Sequence, residues 1–134
     1  MQFKTLSVVT ATIAGFLFVA LLLFPEFMYS LFQIPQTESA SFMARRAAIL
    51  FLTLGILSWL MRNAEHSESR QMVCLSFIIM MFGLAILGTF EYVREYAGVG
   101  IGLAIVTELA LGFAYLKVYF NTRHRLNRQN QCAQ

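Results

Sequence analysis

The chain has 134 residues, 58% of them hydrophobic and 13% charged, against about 45–50% and 25% in an ordinary soluble domain. One small core cannot bury that much apolar surface, so a soluble globular domain is excluded and lipid is the expected surrounding. The net charge of +3 comes from 10 Lys and Arg against 7 acidic residues, all Glu, placed almost entirely between or at the ends of apolar runs, which excludes a nucleic-acid binder.

Four apolar runs predict membrane-spanning helices at about residues 5–24, 42–61, 72–91 and 98–120, each close to the ~20 residues that cross a ~30 Å hydrocarbon core. The first follows Lys4 as a signal peptide would. It is nevertheless longer than the ~7–15 residues of a signal h-region, and no A-x-A-like site follows, so it is expected to stay as a span. Pro25 and Glu26 break it, after which Phe27, Met28, Leu31, Phe32 and Ile34 form an amphipathic stretch expected to lie along the interface before a turn at 35–40. The second run carries Arg45 and Arg46 in its first turns and ends at Trp59 and Arg62, an interfacial aromatic and a snorkelling base. Residues 62–71 are too few for a domain and read as a turn between antiparallel helices. Glu91, Tyr92, Val93, Arg94, Glu95 and Tyr96 close the third run. Gly98, Gly100 and Gly102 open the fourth, which holds Glu108 near its middle and Lys117 near its end. Residues 121–134, with Arg123, His124, Arg125 and Arg128, form a basic tail expected to fray. The expected fold is therefore an all-α membrane protein, an antiparallel four-helix transmembrane bundle with one domain over 1–120.

Four spans put both termini on one side. Lys4, Arg62, Arg70, Lys117, Arg123, Arg125 and Arg128 fall on that side, and Arg45, Arg46 and Arg94 on the other. The positive-inside rule then places both termini in the cytoplasm and the protein in a cytoplasmic, or inner, membrane.

Glu108 lies about ten residues into the fourth span, roughly 15 Å deep, where a lipid-exposed carboxylate is costly. Gly100, Ala104, Glu108 and Gly112 recur at intervals of four, a small-residue stripe that predicts an inward-facing carboxyl. Arg45 or Arg46, entering from the same side, is expected to reach it with a side chain of roughly 6–7 Å, and only one of the two can point straight at it. Glu91 lies near the depth of the two arginines, and Glu26, Tyr92 and Arg94 are expected at the rim of this polar cluster. The cluster could be a buried ion pair that fixes helix register. It could equally line a small cavity for a polar headgroup, a quinone-like molecule or a proton. An interface with another protein is the third option.

Other chemistry finds little footing. Cys74 sits in an apolar run and Cys132 in the polar tail, so no disulfide scaffold is expected. His66 and His124 lie outside the spans, and Ser7, Ser58 and Ser76 have no nearby His or Asp to activate them. Met72, Met80, Met81 and Cys74 read as adaptable packing, not as a copper path. Gly98 and Gly102 form G-x-x-x-G, which can serve internal packing as well as a dimer.

The stretch A-R-R-A-A-I-L-F-L-T-L-G-I-L-S-W-L-M-R, residues 44–62, and V-T-E-L-A-L-G-F-A-Y-L, residues 106–116, resemble the small bacterial four-helix inner-membrane proteins of the DoxX-like group, in particular an uncharacterised branch of it. The resemblance implies a four-helix bundle in the cytoplasmic membrane. Some relatives are associated with quinone-linked sulfur oxidation or oxidative-stress complexes; this chain supplies no redox ligands, so no activity or cofactor is carried over. The leading expectation is a non-enzymatic accessory or binding protein whose Arg/Glu cluster holds a lipid-like, quinone-like or other small amphipathic ligand, or a partner's helix. Membrane lipid and a homo-oligomer or membrane partner protein are the expected partners. The alternative is an oligomeric proton-coupled small-molecule transporter with Glu108 as its titrating carboxylate. An oxidoreductase subunit would need a partner's cofactor.

Overall fold

The structure, a computed structural model, describes residues 3–65, 67–94, 98 and 100–132, with the side chains of the last helix described through Asn121. Five helices follow one another: α1 (Phe3–Leu23), α2 (Pro25–Phe32), α3 (Glu38–Met61), α4 (Glu68–Val93) and α5 (Gly100–Cys132). Four of them are long and apolar enough to span a membrane: α1, α3, α4 and the Gly100–Asn121 part of α5.

Local chemistry sets the boundaries. Pro25 sits in the first turn of α2, where its missing N–H is no loss. Thr37 caps α3, its hydroxyl accepting from the Ala40 N–H at 3.1 Å, and Ser67 caps α4 by accepting from the Arg70 N–H at 3.4 Å. Glu38 and Glu68 follow in the first turns, where a negative charge complements the helix dipole. These caps start α3 and α4 about a turn earlier than the apolar runs at 42 and 72, because polar first turns carry no hydropathy signal. The amphipathic stretch after Pro25 is helical, and it ends at Gln33 in the left-handed conformation (φ 56°). The tail, expected to fray, continues the α5 backbone to Cys132; its Arg, Asn and Gln residues include good helix formers.

Packing divides the helices into two pairs, with α1 principally on α3 and α4 principally on α5. In the second pair Gly88 lies against Ile101 and Ile105, and Gly112 against Met81 and Phe82. Farther along, the Phe77 ring stacks on Tyr115 at 4.8 Å. Residue numbers rise on one helix as they fall on the other, so α4 and α5 are antiparallel. In the first pair, Gly55 of α3 approaches Ala11, Ala14 and Gly15 of α1; small side chains let the backbones come close. The pairs meet where α1 touches α5, and α2 touches α1, α3 and α5. α2 is tied to the start of α5 by a hydrogen bond from the Gly98 N–H to the Phe32 carbonyl at 2.8 Å. A Cβ on Gly100 would fall 2.5 Å from the Leu31 carbonyl oxygen, so glycine is required there.

The buried core joins Phe3 and Leu6 of α1 to Cys74, Phe77, Ile78 and Met81 of α4 and to Leu111, Tyr115 and Val118 of α5. It fills the half of the molecule nearest the start of α1. Elsewhere the spans face outward: only 17% to 33% of each is buried, and the outward side chains include Leu50, Leu60, Ile86 and Val93, each at least 70% exposed. Helices apolar all round with so little burial belong in hydrocarbon, because in water this surface would drive aggregation.

Candidate functional site

α5 turns Glu108 inward. Its neighbours at the helical intervals of three, four and seven, Leu111, Gly112 and Tyr115, are all buried, and Glu108 itself is half-buried. The members of the small-residue stripe meet different elements: Gly100 faces Leu31 of α2 and Gly112 faces Phe82 of α4. Gly98 precedes α5 and lies against Gln33 at the end of α2, whereas a Cβ on Gly102 would meet nothing, so the two glycines of G-x-x-x-G do not form one helix-packing face among the described residues.

The expected guanidinium partner is not brought to Glu108. Arg45 and Arg46 are both exposed, and Arg46 rests over the Phe42 ring at 5.5 Å. Their helix packs on α1 and makes at most marginal contact with α5. The physical reason lies in α3: Ala44, Ala48 and Ser58 are its buried residues, and Gly55 shares their face. At about 100° per residue, that face leaves Arg45 a quarter turn aside and Arg46 on the far side. The A-x-x-x-A spacing of Ala44 and Ala48 was the signal for this face. Glu108 has neither an ion pair nor a hydrogen bond among the described residues.

The remaining expected members are spread over the same end. Glu91 is half-buried in the last turn of α4, Tyr92 is 55% exposed, and Glu26 is exposed in the first turn of α2. Arg94 caps α4, its guanidinium over the Phe90 ring at 5.2 Å. The α4–α5 register puts Glu91 and Glu108 roughly 10 Å apart along the axis, at ~1.5 Å per residue. The structure therefore gathers Glu91, Tyr92 and Arg94 on one helix end but does not join them to Glu108.

Two features were invisible in the sequence. One is a buried polar link: the Tyr115 hydroxyl of α5 donates to the Thr10 hydroxyl of α1 at 2.9 Å, with Ser7 and Cys74 also buried. On the core side of α4, the guanidinium of Arg70, 8% exposed, stacks over Phe3 at 4.1 Å and donates to the Ala64 carbonyl at 3.5 Å. Arg62 and Trp59, the base and the aromatic that end the second run, also meet, at 4.0 Å from guanidinium to ring.

The other feature is a lateral groove of about 420 Å³ along the α4–α5 pair, lined by Phe82, Ala85, Ile86, Thr89, Phe90 and Val93 of α4 and by Leu109 of α5. It opens to the side and its wall is almost wholly apolar; the Thr89 hydroxyl is turned back to the Ala85 carbonyl at 2.7 Å. Its volume falls within the ~300–1,000 Å³ of small-ligand sites. The large–small–large order of Phe82, Ala85 and Phe90 shapes it, a signal that any apolar run can hide. Among the described residues no group of three or more His, Cys, Asp or Glu could hold a metal ion. Comparisons with family models, with curated proteins and with solved structures found no match to the chain.

Proposed function

We propose that the chain is an antiparallel four-span bundle of the cytoplasmic membrane, both termini cytoplasmic, and that it acts without chemistry of its own as an accessory protein holding a lipid-like molecule. The groove on the α4–α5 pair carries this reading: it is apolar, of ligand size, and open sideways, where an amphiphile already dissolved in the bilayer would enter. The charge bias of the loops supports the orientation, and the motif at 44–62 supports kinship with the DoxX-like group. Thr89→Trp fills the groove from an exposed position. Mass spectrometry of extracts from the purified chain is expected to show a co-purifying amphiphile that the Thr89→Trp chain lacks. Equal lipid content in both would end this reading.

A second reading, an oligomeric proton-coupled transporter, is favoured by the inward Glu108 carboxyl, which has no basic partner among the described residues. It predicts proton flux into pyranine-loaded proteoliposomes under an imposed pH gradient, lost in Glu108→Gln. Identical traces for the two chains would exclude it.

A further inference from the structure

The groove is a hydrocarbon slot with a cation at one end. From Phe82 to Val93 it runs eleven residues along α4, about 16 Å at ~1.5 Å per residue, which is close to the ~15 Å depth of one leaflet's hydrocarbon. Along that length it offers no free donor, because the hydroxyl of Thr89 already gives its proton to the Ala85 carbonyl. Such a wall suits an alkyl chain.

The next residue after Val93 is Arg94, the C-cap of α4, exposed and with its guanidinium over the ring of Phe90, itself part of the groove wall. This contact holds the cation within a turn of the slot's mouth, at the level where α4 leaves the apolar zone. Arg94 also interacts elsewhere within the chain, and the five N–H donors of a guanidinium leave it able to meet phosphate oxygens as well, through charge-assisted N–H···O bonds. The aromatic face beneath it limits the side-chain freedom lost on binding.

We propose that the α4–α5 groove binds one acyl chain of a glycerophospholipid whose phosphate is held by Arg94. This inference rests on the lipid-holding reading above and adds the headgroup chemistry. It predicts selectivity for the phosphate ester over an uncharged lipid with the same chains.

The test is native mass spectrometry of the full chain released from detergent micelles, titrated with dioleoyl phosphatidylglycerol or with dioleoylglycerol. The phosphatidylglycerol adduct is expected to dominate by about tenfold, the size of one charge-assisted contact. Arg94→Gln should remove that preference while leaving weak adducts of both lipids, Arg94→Lys should restore part of it, and Thr89→Trp should remove both adducts. Circular dichroism confirms the helix content of each variant. If Arg94→Gln binds phosphatidylglycerol as the parent does while Thr89→Trp does not, the chain slot stands and the phosphate site is wrong. Equal adducts of the two lipids on the parent chain would likewise overturn the phosphate site. If Thr89→Trp retains every adduct, both the phosphate site and the lipid-holding reading fall.

Discussion

The hydroxyl of Tyr115 donates to that of Thr10 at 2.9 Å, joining helices α5 and α1 across 105 residues of chain, with both side chains at most 2% exposed. The two helix pairs meet at this place, so the bond reports on their docking. Interhelical hydrogen bonds in membranes contribute about 0.6 kcal/mol on average and up to ~1.7. Tyr115→Phe and Thr10→Val are each expected to cost about 1 kcal/mol in reversible unfolding in mixed micelles, and the double variant less than the sum. Strict additivity would mean that the two hydroxyls do not act together.

Glycines give a paired prediction of opposite sign. Gly100→Ala places a methyl against the Leu31 carbonyl and should cost about 1–3 kcal/mol, with α2 more open to protease. Gly55→Ala meets Ala11 and Ala14 at 3.5 Å, ordinary contact, and should be neutral or stabilising by about 0.5–1 kcal/mol through helix propensity. Thermal unfolding of the two variants side by side checks both; the reverse order would contradict the described packing of α2 on α5.

Arg45 and Arg46 are exposed on a helix scarcely touching α5. A double-mutant cycle of Arg45→Ala or Arg46→Ala with Glu108→Gln should therefore show coupling near zero, within the ~0.3–0.5 kcal/mol typical of independent sites. Coupling above about 1 kcal/mol would restore the ion pair that the sequence suggested.

Orientation is open to labelling. In a Cys132→Ser background, Cys74 is buried and should resist an impermeant maleimide. A cysteine at Ser39, exposed beside the α3 cap, should label in intact cells. One at Glu65, exposed between α3 and α4, should label only after permeabilisation. The opposite pattern would invert the bundle.

The spans were legible because hydropathy reports length and composition directly, and the break at Pro25 and the inward turn of Glu108 followed from local rules. Helix pairing was not legible. In lipid both the packed and the outward faces are apolar, so periodicity carries almost no contrast, and the information sits in small residues such as Ala44, Ala48 and Gly55. Charge attraction alone draws Arg45 toward Glu108, but that small-residue stripe turns α3 onto α1 instead. Thr10 and Tyr115 escaped notice because a hydroxyl in an apolar run gives no hint of a partner a hundred residues away. The groove depends on how Phe82, Ala85 and Phe90 alternate in size against Leu109, which only the assembled pair reveals.

The central claim is that the α4–α5 flank accommodates an ordered lipid chain. An experimental density map of the protein in phospholipid nanodiscs tests it most directly. Elongated density should run from Phe82 to Val93 and end in a strong feature beside Arg94, clearly above the belt of lipid around α3. A flank no better ordered than the rest of the belt, or side chains closing the groove, would contradict the account.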